Sequence, residues 1–145
     1  MRRYRVLFVC IGNSCRSQMA EAFARRYGSD VLDPQSAGLA PAGFIAPDTR
    51  QVMLEKGIEL LGSESKGFDE TGDDFDLIVN MSGYPLPPFL PTPVRDWKVE
   101  DPISLDLDRH REIRDRIEGL VVGLILELRR AQEFDTPPQL SDNKG

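Results

Sequence analysis

The chain of 145 residues fits one domain, since a single hydrophobic core serves roughly 100 to 200 residues, and its 40% hydrophobic and 29% charged content is that of a globular protein. With 18 Lys and Arg against 24 Asp and Glu, the net charge of −6 argues against general attraction to nucleic acid or to anionic membranes. Cys10 and Cys15 are too few for the disulfide framework of a secreted domain, and with the single His110 they lack metal-ligand spacing, so a reducing cytoplasm is the expected setting and no metal is expected.

Met1-Arg2-Arg3 before Val6-Leu7-Phe8-Val9 looks like the opening of a signal peptide, but the apolar run breaks at Gly12-Asn13-Ser14. Tyr4 to Cys10 instead predicts a strand covered on both faces. A turn follows, and then a helix from Ser17 to Tyr27, with Met19, Phe23 and Tyr27 at helical spacing, Arg25 and Arg26 near its end, and Gly28 as a stop. A second strand is predicted within Val31 to Ala37, and a second helix from Asp48 to Lys56 closed by Gly57.

The polar stretch from Gly62 to Asp74 reads as loop with one helical turn, and Asp76 to Met81 as a third strand. Pro85, Pro87, Pro88, Pro91 and Pro93 exclude a regular helix and predict a shaped loop. A short fourth strand near Val94 to Trp97 is followed by Asp101-Pro102 and a long helix with Ile113, Ile117, Leu120, Val121, Leu124 and Leu128 on one stripe. Its longest apolar stretch, Leu120 to Leu126, falls far short of the ~20 residues that span a bilayer. One domain over 1–135 with a flexible tail over 136–145 is expected. Alternating strands and helices imply an α/β three-layer sandwich, a four-stranded parallel sheet flanked by helices, with ligands beyond the carboxyl ends of the strands.

Cys10 sits at such an end. The stretch Cys10-Ile11-Gly12-Asn13-Ser14-Cys15-Arg16-Ser17 links strand to helix, where the first backbone N–H groups lack partners inside the helix. The amides of Ile11, Gly12, Asn13, Ser14, Cys15 and Ser17 are therefore the expected cradle for a tetrahedral anion, with Gly12 allowing close approach. Arg16 is expected to grip two anion oxygens, and its charge with the helix N-terminus favours the thiolate form of Cys10. Ser17 is placed to hydrogen-bond that sulfur and Asn13 to brace the loop. A cysteine alone at a strand end is more often a small core residue; the spacing of Cys10, Arg16 and Ser17 is what marks a site.

This motif, with Ala20-Glu21-Ala22, Ser36-Ala37-Gly38, the third strand and Asp101-Pro102, resembles the low-molecular-weight protein tyrosine phosphatase family, including its arsenate reductase branch. The resemblance implies Cys10 as nucleophile, Arg16 as oxyanion binder and Asp101 as general acid, with Asp96 and Glu100 as weaker candidates for the acid; no cofactor is expected. Gln18 stands where phosphatases of the family usually have proline, and Ile103-Ser104 where they have paired tyrosines, so the chain resembles the reductases there. The thioredoxin-coupled reductases need two further cysteines after the third strand, and here Ser82 and the stretch from Tyr84 to Phe89 supply none.

The leading expectation is hydrolysis of phosphotyrosine, in a phosphorylated protein, or of a small aryl phosphate, through a Cys10 thiophosphate. The alternative is arsenate reduction with a small external thiol such as glutathione or mycothiol. Some reductases of the family hold potassium at positions resembling Asn13, Glu21 and Ser36, but Ser65 replaces a further acidic ligand and the ion is not expected. Cys15 reads either as structural or as a reversible disulfide partner of Cys10. Phe44, Tyr84 and Trp97 are candidates for the mouth of the site.

Overall fold

The computed structural model describes residues 3–60, 64–72, 74–88 and 90–134; the expected tail at 136–145 lies outside them. Strand β1 spans Tyr4–Cys10, β2 Leu32–Gly38, β3 Leu77–Asn80 and β4 Val94–Asp96. They form one parallel sheet in the order β2-β1-β3-β4. Helix α1 spans Arg16–Gly28, α2 Pro47–Leu54 and α3 Leu107–Glu133, with a single 3-10 turn at Phe68–Glu70. This is the expected α/β fold. Among the described residues no helix is long and apolar enough to cross a membrane.

Successive side chains of a strand point to opposite faces, and β1 divides accordingly. Val6 and Phe8 join Met19 and Phe23 of α1, Val52 and Met53 of α2, and Ile113, Ile117, Val121, Leu124 and Leu128 of α3 in the main core. Leu7 and Val9 join a smaller cluster with Ile78 and Phe75, covered by Phe68 of the 3-10 turn and by Leu86 and Leu90 of the proline-rich segment. The second covering layer is thus largely built from irregular chain, because prolines there leave no helix to form.

The stripe read from the sequence of α3 is the buried one, with two adjustments: Leu120 is only partly buried, and Ile125 is fully packed. The reason is Gly28. Besides ending α1, it lets α3 approach: a Cβ there would lie 2.7 Å from Ile125 Cγ1 and 2.8 Å from Cδ1. The α2 end is tied to α3 by Glu55, whose carboxyl is lowered to about 2 by the guanidiniums of Arg111 and Arg114.

Gly38, at the end of β2, is the second point of close approach. A Cβ on it would lie 2.6 Å from the carbonyl oxygen of Ile11 and 2.7 Å from the amide nitrogen of Asn13. Both are backbone atoms, so there is no side chain to move aside.

Two measurements follow from these contacts. Gly28→Ala should lower stability to urea by about 1–3 kcal/mol through overpacking, whereas Gly119→Ala, where a Cβ meets nothing within 4 Å, should raise it by up to about 1 kcal/mol through helix propensity; equal effects would contradict the contact with Ile125. Gly38→Ala should leave a cooperative unfolding transition but weaken phosphate binding, read by calorimetric titration, on the order of 10²-fold through misplacement of the loop. Unaltered phosphate affinity would show that the loop does not depend on this contact.

Candidate active site

The loop between β1 and α1 is held from outside by its carbonyls. Those of Cys10, Ile11, Gly12 and Ser14 accept the N–H groups of Leu39 (3.0 Å), Ala40 (2.8 Å), Ala42 (2.9 Å) and Ala46 (3.1 Å), all on the segment joining β2 to α2. The Asn13 carbonyl accepts from Gln18 Nε2 at 3.2 Å. With the carbonyls drawn outward, the N–H groups of the turn are left for its concave side, and α1 adds its first unpaired amides there.

Asn13 occupies the left-handed region at φ 50 and is fully buried, a conformation that asparagine tolerates better than most residues. Its Oδ1 accepts the Lys66 N–H at 2.8 Å, which fixes the amide orientation and turns Nδ2 toward Ser17 Oγ at 2.9 Å. Ser17 Oγ in turn lies 2.9 Å from Cys10 Sγ. Ser17 Oγ accepts from Asn13 Nδ2 and keeps its own proton to give, so the contact can run from the hydroxyl to the sulfur. The sequence-derived roles of Asn13 and Ser17 as brace and sulfur partner thus have matching geometry. At Gly12 a Cβ would meet Ser14 Oγ at 3.2 Å, and the loop residue with the unusual backbone is Asn13.

Arg16 is 4% exposed although it carries a charge. Its Nη1 donates to the carbonyls of Met81 at 2.5 Å and Val99 at 3.0 Å, which anchor the guanidinium at the ends of β3 and of the segment after β4. Nη2 lies 3.4 Å from Asp101 Oδ2. Nε is buried and has no acceptor among the described residues. A buried N–H left unpaired costs roughly 1–3 kcal/mol, and the Nε–Nη2 edge is the two-pronged surface that a tetrahedral oxyanion fits.

Asp101 is the acidic residue brought beside Arg16, with its Oδ1 accepting the Ile103 N–H at 3.1 Å. Glu100 is instead paired with Arg109, and Asp96 is at the exposed end of β4. Cys15 is buried next to the loop. Burial pushes its thiol up from the ordinary value, against smaller opposing effects of the Thr49 and Ser14 hydroxyls. Both cysteines are free. Of the aromatic candidates, Phe44 and Tyr84 are exposed, while Trp97 is buried with its ring 6.0 Å from that of Phe8. His110 is buried in α3, its Nδ1 2.8 Å from the Asp106 carbonyl.

Sequence reasoning missed three supports of the loop. Gln18 is buried and also reaches Asn13 Oδ1 and the Glu64 carbonyl. Ser65 Oγ donates to the Gly12 carbonyl at 2.9 Å, and the Lys66 carbonyl accepts from Gly38. The stretch 64–67, polar and without periodicity, gave no signal of this role. The same contacts bear on potassium: Glu21 is engaged by the Ser36 hydroxyl and the Arg25 guanidinium, and Asn13 Oδ1 by Lys66 and Gln18.

The chain matches the family model of the low molecular weight phosphotyrosine protein phosphatase over residues 5–86. It is 35% identical over 129 residues to the glutaredoxin arsenate reductase of Synechocystis, covering 86% of this chain and 98% of that protein. A solved arsenate reductase in its phosphate-binding state superposes with a TM-score of 0.80 at 33% identity, over 86% of this chain and 98% of the other. An arginine phosphatase from Geobacillus stearothermophilus superposes with a TM-score of 0.77 at 27% identity, over 92% and 98%.

These relatives correct the leading expectation. Hydrolysis of phosphotyrosine or another aryl phosphate gives way to the alternative, since arsenate reductases recur among the similar sequences and structures. The physical reason for the misreading is that arsenate and phosphate share charge and shape, so a cradle and a cysteine read from sequence serve either. The chain belongs to the low molecular weight phosphotyrosine protein phosphatase family, on its arsenate reductase branch, and lacks the resolving cysteines of the thioredoxin-coupled reductases.

Proposed function

We propose that this protein reduces arsenate to arsenite with an external thiol of the glutathione class, assisted by a glutaredoxin. The observation that carries the reading is the placement of Cys10 Sγ against Ser17 Oγ, on the loop that also carries Arg16 with its buried, unpaired Nε, in a chain whose second cysteine is a buried, poorly ionised neighbour. The relative from Synechocystis is a glutaredoxin arsenate reductase, which supports the choice of thiol partner.

In this reading the loop amides and the Nε–Nη2 edge of Arg16 hold arsenate, and Cys10 attacks arsenic as the thiolate. A sulfur–arsenic bond forms and an arsenic–oxygen bond breaks, with Asp101 as the group placed to protonate the departing oxygen, which leaves as water. A glutathione thiolate then attacks Cys10 Sγ. The sulfur–arsenic bond breaks with its electron pair left on arsenic, so As(V) becomes As(III), and a mixed disulfide between Cys10 and glutathione remains. A second thiol displaces Cys10 from it. One arsenate and two thiols give one arsenite, one disulfide and water.

Burial makes Cys15 a poor substitute for the external thiol, since the thiolate is the attacking form. Its role in this reading is to pack the base of the loop.

The test couples arsenate-dependent glutathione oxidation to NADPH consumption through glutathione reductase, with and without glutaredoxin. Wild-type protein should turn over, Cys10→Ser should not, and Arg16→Lys should lose roughly 10²-fold or more by losing the two-pronged grip. Cys15→Ser should keep most of the turnover. Loss in Cys15→Ser equal to that in Cys10→Ser, or a wild-type protein inert with both thiol systems, would overturn the proposal.

A further inference from the structure

A cavity of about 630 Å³ opens between the segment after β3 and the end of β4, within the size range of small-ligand sites. Its walls are the Tyr84-Pro85 turn after β3 and the strand-like run from Asp96 to Glu100. It shares a wall with the proposed arsenate site, because Met81 and Val99 both line it and both give their carbonyls to Arg16 Nη1.

The run past β4 alternates. Trp97 and Val99 are buried, and Asp96, Lys98 and Glu100 are exposed, so the three charged side chains share one side. Glu100 is neutralised by Arg109. Among the described residues, the Lys98 ammonium and the Asp96 carboxylate make no ion pair or side-chain hydrogen bond, even with each other. An unpaired cation and an unpaired anion two positions apart, about 6–7 Å along an extended chain, thus stand at the wall of a largely apolar cavity that shares Met81 and Val99 with the anchor of Arg16.

We propose that this cavity binds the thiol co-substrate, and that its occupant carries a free amino-acid head, as the γ-glutamyl end of glutathione does. Lys98 meets the α-carboxylate, Asp96 meets the α-ammonium, and the flat face of Tyr84 covers the peptide. The pairing explains how a chain of net charge −6 recruits an anionic tripeptide: attraction is local and depends on Lys98. A sugar-based thiol without that zwitterionic head lacks both contacts. The inference rests on the reading of an external thiol, and it concerns binding alone.

Trp97 is the sole tryptophan of the chain and lines this cavity, so its fluorescence reports on occupancy without turnover. Titration with S-methylglutathione, which cannot react, should give a saturable change in wild-type protein. Lys98→Glu, at an exposed position, should weaken that binding on the order of tenfold and raise the KM for glutathione similarly, while phosphate still protects Cys10 from alkylation with the same affinity. Asp96→Asn should weaken it less. No saturable change in the wild type, an affinity indifferent to Lys98→Glu, or equal binding of a thioether lacking the amino-acid head would overturn the assignment. Binding that depends on Lys98 without any arsenate reduction would keep the cavity assignment and sink the reductase reading; arsenate reduction with a glutathione KM unmoved by Lys98→Glu would do the reverse.

Discussion

The outward anchoring of the loop carbonyls from Cys10 to Ser14 is the constraint on which the site depends. A peptide segment whose oxygens are all bound on one side presents its N–H groups on the other, and here the partners are amides of the chain that follows β2 for Cys10, Ile11, Gly12 and Ser14, and the Gln18 side chain for Asn13. That segment can run close enough because Gly38 has no Cβ to collide with the backbone of Ile11 and Asn13. Asn13 turns the corner in the left-handed region, a strained conformation costing of order 1–3 kcal/mol when imposed on an ordinary residue. Its side chain offsets this by bonding Lys66, Gln18 and Ser17 at once. The same side chain thus closes the loop and orients the hydroxyl that faces Cys10.

Arg16 shows stability given up at the same place. A guanidinium 4% exposed, with one nitrogen unpaired, is a poor arrangement for an empty protein and a good one for holding an oxyanion, because the desolvation is already complete when the ligand arrives. Two main-chain carbonyls fix one end of the group, and its other edge has an unpaired Nε and an Nη2 that faces Asp101. In a chain of net charge −6, such local preorganisation does what long-range attraction does not.

The sheet and its helices were legible because their signals are local. The apolar run from Tyr4 to Cys10 defines β1 residue for residue, and the stripe on α3 is visible from Ile113 to Leu128. Helix α2 ends at Leu54, earlier than Lys56, where Gly57 already donates to the Leu54 carbonyl. What could not be read were contacts in which one partner is main chain: the Met81 and Val99 carbonyls that hold Arg16, and the stretch 64–67 that braces Asn13. Every residue carries a main-chain carbonyl whatever its side chain, so composition is silent there. The choice of reaction was also illegible from the loop, since the cradle recognises a tetrahedral dianion and not the atom at its centre. The information that favours reduction lay in the relatives.

The central claim is that Cys10 bonds to arsenate and that an outside thiol then attacks its sulfur, releasing arsenite and leaving a mixed disulfide. The most direct measurement is intact-protein and peptide mass spectrometry of protein mixed with arsenate and glutathione and quenched in acid within a turnover. The account predicts one glutathione disulfide-linked to the peptide that carries Cys10, formed only when arsenate is present and present also in Cys15→Ser. Absence of that adduct while arsenite accumulates, or its formation on Cys15 instead, would contradict the account.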